Sequence, residues 1–280
     1  MTSCFVSSGA TQAHTRVHAD INYATVGGHQ LALDLYMPTG VDNPPLIVWV
    51  HGGRWTLGDK SEVPMVFVAQ GIATASLDFR MSTEARFPAM VHDIKAAIRF
   101  LRAKALEYGY RTDRLAIGGT SSGAHLASLV GVTNGHAVLE GTVGDHLDQS
   151  SDVHAILSYY GASNLTTILA QTMPEGLSVR VPALEDLLGG LPEQEHDMAR
   201  LASPVKHVSR SAPPLMLLHG EQDPQMPINQ SYELEAAYKS IGLDVHFDVL
   251  HGAAHGGEDD FFSKERNARA VQFLRRTIGQ

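Results

Sequence analysis

The sequence is short of the features that would set a chain apart from ordinary globular proteins. Cysteine occurs once, at Cys4, so no intramolecular disulfide can form, and that usage fits a reducing compartment. No stretch reaches the roughly 18 consecutive apolar residues that a membrane-spanning helix needs. Basic residues are outnumbered, 21 against 30 acidic, for a formal net charge of −9. A surface of that sign does not attract phosphodiesters or anionic lipid, so neither nucleic acid nor a membrane is expected as a partner. The first residues, Met1-Thr-Ser-Cys-Phe-Val-Ser-Ser-Gly-Ala10, lack the basic and apolar regions of a secretory leader. A cytoplasmic location follows as the expectation, with a secreted form whose leader has been removed left open. Internal repeats and low-complexity tracts are absent.

What remains is ample core-forming material, 44% hydrophobic against 18% charged in 280 residues, enough for a single large domain. Val17–Tyr23 and Gln30–Tyr36 flank Val26-Gly-Gly-His29 and predict a hairpin. Leu46–Val50, Ile72–Phe79, Val153–Tyr160 and Leu215–Leu218 are apolar runs of the kind buried on both faces of a parallel sheet, and Val245–Leu250 is a further strand. Helices are predicted over Ser61–Gln70, Phe87–Tyr108, Ile228–Ile241 and Phe261–Ile278. Within the second, the apolar stripe is core, and Asp93 and Arg102 fit helix-surface or ion-pairing roles. Residues 134–152 form an irregular excursion. Residues 162–212, interrupted by Pro174, Pro182, Pro192 and Pro204, are expected to be a cap-like insertion of short helices at most. The alternation implies an α/β fold, a mostly parallel central sheet with helices on both faces and a small irregular cap.

The stretch Leu115-Ala-Ile-Gly-Gly-Thr-Ser-Ser-Gly-Ala-His-Leu-Ala-Ser-Leu-Val130 runs from apolar strand to helix through Gly119-Thr-Ser-Ser-Gly123. This is the G-x-S-x-G pattern that lifts a serine above the end of a sheet. A serine hydroxyl is a poor nucleophile unless an imidazole takes its proton and a carboxylate orients that imidazole. Candidates follow other strands: Asp223 after Leu215–Leu218, and His255 after Val245–Leu250. In open sheets of this kind ligands sit at the carboxyl ends of the strands, so these loops converge on one crevice. Ser121, Asp223 and His255 are therefore the candidate catalytic residues. Ser122 is the rival nucleophile, but the glycine spacing favours Ser121 and leaves Ser122 to lend its backbone N–H. Glu221 competes with Asp223, and His251 and His219 with His255, which alone lies within Gly252-Ala-Ala-His-Gly256.

The segment His51-Gly-Gly-Arg-Trp55 follows another buried strand. Its glycines let the backbone approach a developing negative oxygen, so Gly52, Gly53, Arg54 and Ser122 are the candidate oxyanion donors. His51 fits a structural hydrogen-bonder better than a base. Trp55, Tyr160 and Met226 are candidates for the substrate pocket. Fifteen histidines invite a metal, yet no H-E-x-x-H or Cys/His cluster exists, and neither a metal nor a cofactor is expected.

With these residues assembled, the chain resembles the α/β-hydrolase esterases of the feruloyl-esterase-like BD-FAE group, close to the hormone-sensitive-lipase-like carboxylesterases. The likeness runs from about Ala32 to the C-terminus. It is carried by His51–Trp55 with Gly58-Asp-Lys60, by Leu77-Asp-Phe-Arg-Met81, by Phe87-Pro-Ala and Asp93–Arg102, by Gly119–Gly123, by Ser203-Pro204, by Pro213–Gly220 with Asp223, and by Gly252–Gly256. The group's nucleophile, acid and base fall on Ser121, Asp223 and His255. Arg54 departs from the small or neutral residue usual there, and Ser122 from the usual alanine; neither change removes a backbone N–H. The resemblance implies a serine carboxylesterase acting on short-chain or small aromatic esters through an acyl-enzyme. Two alternatives stay open at this point: an amide hydrolase of aminopeptidase or arylformamidase type on the same residues, and a non-catalytic binding module. The partner expected is a small-molecule ester, and a homodimer is compatible with everything above.

Overall fold

The computed structural model describes residues 15–279. The N-terminal tail and Cys4 lie outside the described residues. Eight strands form one sheet: β1 (Thr15–Val26), β2 (His29–Pro38), β3 (Leu46–Val50), β4 (Ala73–Leu77), β5 (Leu115–Thr120), β6 (Ala155–Tyr159), β7 (Leu215–Gly220) and β8 (Val245–Leu250). Their order is β1-β2-β4-β3-β5-β6-β7-β8. The pairs β1/β2 and β2/β4 are antiparallel and every other neighbour is parallel. The predicted hairpin is β1–β2. Gly27 and Gly28 turn it with φ of 57° and 86°, a pair of left-handed angles that suits two glycines.

Each central strand is buried on both faces, and alternate residues sort into two layers. Leu46, Val48 and Val50 of β3 point to one layer, packed on α2 (Ala89–Ala103) and α3 (Ser121–Val132). Ile47 and Trp49 point to the other, covered by α1 (Met65–Ala69) and α6 (Lys264–Ile278). The long side chains of α2 tie it down. Arg80, just after β4, grips the fully buried Asp93 carboxylate with two N–H groups at 2.7 and 2.8 Å. Arg102 donates to the carbonyls of Thr112 and Asp152 at 2.5 and 2.6 Å.

Several predicted helices come out shorter or split. Over 61–70 only α1 is helical, because Pro64 forces the residue before it away from helical angles. The stripe over 87–108 divides at Lys104 into α2 and a single turn, Ala105–Tyr108. The final helix begins at Lys264, after a separate turn at Glu258–Phe261. One helix is longer than expected. Residues 162–212 contain α4 (Pro174–Leu188), of 15 residues, with Pro174 in its first turn and Pro182 inside it. Pro174 loses only an N–H that would have had no helical acceptor. Pro182 costs a helix bond, but Ala183, Leu184, Leu187 and Leu188 are buried in the α2/α3 layer and their burial offsets it. The last helix of note is α5 (Asn229–Ser240), which covers the β7–β8 end. Among the described residues, no helix is long and apolar enough to cross a membrane.

Candidate active site

Ser121 stands at the junction of β5 and α3 with φ 49°. A left-handed angle costs an L-residue about 1–2 kcal/mol, so the turn must be held by its surroundings. The glycines explain how. A Cβ on Gly119 would lie 2.4 Å from the Val50 carbonyl oxygen, and one on Gly123 only 2.1 Å from the same atom. The end of β3 thus presses directly on the elbow, and only glycine at 119 and 123 leaves it room.

The other two loops arrive at the same strand ends. His255 Nε2 lies 3.0 Å from Ser121 Oγ, and its Nδ1 lies 2.6 Å from Asp223 Oδ2. With Nδ1–H donated to the carboxylate, Nε2 carries the lone pair that accepts a hydrogen bond from the Ser121 hydroxyl. The second carboxylate oxygen of Asp223 accepts the backbone N–H groups of Gln225 and Met226, both at 2.8 Å. Burial alone would raise the Asp223 pKa. Hydrogen bonds from His219 and His255, the charge of His255 and the Met226 amide outweigh it and hold the carboxyl well below the usual carboxylate range. Tyr160 packs against the imidazole, ring centroids 4.8 Å apart. Its phenol is pushed up, chiefly by burial and then by the charges of Glu62 and Asp223.

The rivals fall away on geometry. Ser122 is 1% exposed, and its hydroxyl has no hydrogen-bond partner among the described residues. Glu221 engages the exposed His251 at 3.1 Å. His219 is buried beneath Asp223, bound to Ser231 Oγ at 2.7 Å and the Met226 carbonyl at 2.9 Å.

Across the elbow, residues 51–58 form a tight loop. Gly53 has φ 116°, and a Cβ there would sit 2.0 Å from the Leu57 carbonyl oxygen. His51 stacks on Phe79 at 4.6 Å and donates Nδ1–H to the Gly52 carbonyl at 2.7 Å. The N–H groups of Gly53 and Arg54 hold no hydrogen bond to another described residue. Ser122 lies in the first turn of α3, where amides have no intrahelical acceptor. Gly52 is different, and the expectation for it is corrected: its N–H is taken by Glu62 Oε2 at 3.2 Å. Thr120 Oγ1 donates to the other oxygen of the same carboxylate.

A cavity of about 820 Å³ opens beside Ser121 and His255. Its walls include Trp49, Val63, Met65, Val66, Tyr160 and Phe262, with Arg54 and Glu62 at its rim. Of the three residues predicted to line a pocket, only Tyr160 does so. Trp55 and Met226 are fully buried in the α2/α3 layer, on the other side of the sheet from the cavity. Among the described residues, no lining side chain comes from 162–212. Glu62, Trp49, Met65 and Phe262 escape a linear reading because helix or strand patterning accounts for each of them. Only the Gly58-Asp-Lys60 stretch just before Glu62 hinted that this segment serves the site.

A mostly parallel sheet with helices on both faces and a serine in a strained turn after the central strand β5 make this chain an α/β-hydrolase. A family model, BD-FAE, matches residues 33–238, and the chain belongs to that family. Among curated relatives, Esterase LipQ of Mycobacterium tuberculosis (strain ATCC 25618 / H37Rv) is 31% identical over 85% of this chain and 56% of its own length. The chain spans about half the length of the curated relatives it matches, 56%, 53% and 49% of three mycobacterial ester hydrolases. Among solved structures, a truncated carbohydrate esterase from gut microbiota superposes with a TM-score of 0.86 at 27% identity, covering 97% of this chain and 99% of that one. A bifunctional GH43-CE protein of Bacteroides eggerthii gives 0.84 at 32% identity, over 93% of this chain and 35% of its own.

Proposed function

We propose that this chain is a serine carboxylesterase, with Ser121 as nucleophile, His255 as general base and acid, and Asp223 as the residue that orients His255. The observation that carries it is the unbroken line from Ser121 Oγ through the imidazole to Asp223, with spacings of 3.0 and 2.6 Å. Ser121 Oγ attacks the ester carbonyl as its proton passes to His255 Nε2, and the imidazolium is stabilised by the Asp223 carboxylate. The tetrahedral oxyanion is held by the N–H groups of Gly53, Arg54 and Ser122. His255 then protonates the departing alcohol oxygen, leaving an acyl-enzyme. Water, deprotonated by His255, attacks it, and Ser121 recovers its proton as the carboxylic acid leaves.

The apolar and aromatic walls of the cavity support short acyl or small aromatic esters as substrates. That relatives are named esterases, and a structural neighbour a carbohydrate esterase, supports the same class. In this reading residues 1–280 form one catalytic unit, and the 162–212 insertion steadies the acid loop, since Arg180 of α4 donates to the Gln225 carbonyl at 2.7 Å. A cytoplasmic enzyme is in keeping with the single cysteine, and light scattering would tell a monomer from a homodimer.

The test compares wild type and Ser121→Ala on nitrophenyl esters and the matching anilides, with an organophosphate as label. The label is expected on the peptide containing Ser121, with esters turned over well ahead of anilides. Undiminished hydrolysis by Ser121→Ala, or a preference for anilides, would overturn the assignment.

A further inference from the structure

Glu62 touches both halves of the site without belonging to either. Its carboxylate accepts the Gly52 N–H at 3.2 Å through Oε2 and the Thr120 hydroxyl through Oε1. Its own backbone is fastened from behind, because Ser76 Oγ of β4 donates to the Glu62 carbonyl at 3.2 Å. Gly52 and the elbow are in direct contact as well. A Cβ on Gly52 would lie 3.0 Å from Thr120 Oγ1 and 3.5 Å from Ser121 Cβ.

Gly52 is the weak hinge in this arrangement, since glycine has the freest backbone of any residue. Two peptide planes meet at its Cα. The plane after it contains both the Gly52 carbonyl and the Gly53 N–H, which point in opposite directions in a trans peptide. His51 holds that carbonyl at 2.7 Å and so sets the direction of the Gly53 N–H. The plane before it carries the Gly52 N–H, and Glu62 holds that one. With both planes fixed, neither backbone torsion of Gly52 can turn. The Thr120 bond locks the same carboxylate to the residue preceding Ser121.

We infer that Glu62 is a positioning residue, which acts through Gly52 and Thr120 to hold the oxyanion-binding amides in register with the Ser121 hydroxyl. The inference rests on the esterase reading above. What the position needs is a two-headed hydrogen-bonding side chain, not a negative charge. A glutamine can accept from Gly52 with its oxygen and donate to the Thr120 hydroxyl with its nitrogen.

The experiment measures kcat and KM for 4-nitrophenyl acetate in wild type, Ser121→Ala, Glu62→Ala and Glu62→Gln. It adds the second-order rate of inactivation by diethyl 4-nitrophenyl phosphate, whose transition state also needs the amides. Deleting an oxyanion donor outright costs roughly 10²–10³ in turnover, so loosening the set in Glu62→Ala is expected to lower kcat about 10- to 100-fold with KM within about 3-fold. The inactivation rate should fall in parallel, and Glu62→Gln should recover to within about 5-fold of wild type. A kcat in Glu62→Ala within about 3-fold of wild type, an effect on KM alone, or a Glu62→Gln as impaired as Glu62→Ala would each overturn it. Should Glu62→Ala not fold, Thr120→Val removes one arm of the clamp, and a wild-type kcat there is the overturning result. Activity surviving in Ser121→Ala would instead sink the esterase reading itself, a distinct outcome.

Discussion

The indole N–H of Trp55 donates to Nδ1 of His125 at 3.0 Å, and both rings are fully buried. His125 Nε2 faces the Ala202 carbonyl at 2.7 Å, so Nε2 must carry the proton and Nδ1 the lone pair. One imidazole thus joins the loop after β3, the helix behind Ser121 and the 162–212 insertion. A second proton on it would set N–H against N–H at Trp55. Burial, with the nearby Arg180 cation and against the Ala202 carbonyl, pushes its pKa down to about 4.

That shift predicts a pH dependence of stability. Above the ordinary histidine value of about 6.5 the ring is neutral whether folded or unfolded. Between there and about 4 the unfolded chain takes up a proton that the folded chain refuses, so stability falls as pH falls through that window. The contribution lost is on the order of 3 kcal/mol. Half-buried His154 and His207 are shifted the same way, chiefly by desolvation, and add to the slope. Urea unfolding at pH 7.5 and pH 4.5 should therefore show a smaller loss for His125→Gln than for wild type. Equal losses in the two proteins would contradict the assignment to His125.

Gly123→Ala should be far more damaging than Gly131→Ala, although both lie on α3. The new methyl at 123 would stand 2.1 and 2.3 Å from the carbonyl oxygens of Val50 and His51, which are backbone and cannot swing aside. At 131 the clash, at 2.4 Å, is with the Cγ1 and Cδ1 side-chain atoms of Ile156, which have more freedom to shift than backbone carbonyls. The expected cost at 123 is about 3 kcal/mol or more with loss of ester turnover, as forced overpacking implies. Thermal unfolding of the two variants side by side checks it.

Asp223→Asn should fold and lose turnover by roughly 10³–10⁴-fold. The amide can still meet the imidazole but no longer balances an imidazolium or fixes its tautomer. Single-turnover kinetics with a nitrophenyl ester would place the loss in acylation. A variant retaining a tenth or more of wild-type turnover would argue against Asp223 as the orienting acid.

Phe262→Ala should move substrate preference toward longer acyl chains. Phe262 forms part of the wall between the cavity beside Ser121 and a neighbouring groove of about 610 Å³, and it stacks on Tyr159 at 5.1 Å. Each methylene newly accommodated is worth about 1–3 kcal/mol. The ratio of kcat/KM for hexanoate over acetate is expected to rise about 10-fold or more, and an unchanged ratio would mean the acyl chain lies elsewhere.

Linear order alone was enough to locate the strands, the elbow, and the three side chains, Ser121, Asp223 and His255, that meet in one hydrogen-bonded line. Their signals are local: an apolar run long enough for one strand, then glycines where a turn must tighten. The spacing of Gly119 and Gly123 picked out Ser121, because the pattern of glycines two positions to either side of a serine is itself a local signal. The contact that demands them comes from Val50 on β3. Which side of the sheet the cavity opens on was not a local matter. Trp55 and Met226 sit close in sequence to site residues yet pack into the opposite layer, and no periodicity distinguishes one layer from the other. Glu62 lies 58 residues from Thr120, and its partnership exists only because parallel β3 and β5 lie side by side and deliver their ends together. Side-chain chemistry and the turns that carry it were written in short stretches of chain. Which groups meet across the sheet, and which face receives a substrate, was decided by packing between residues far apart in the sequence.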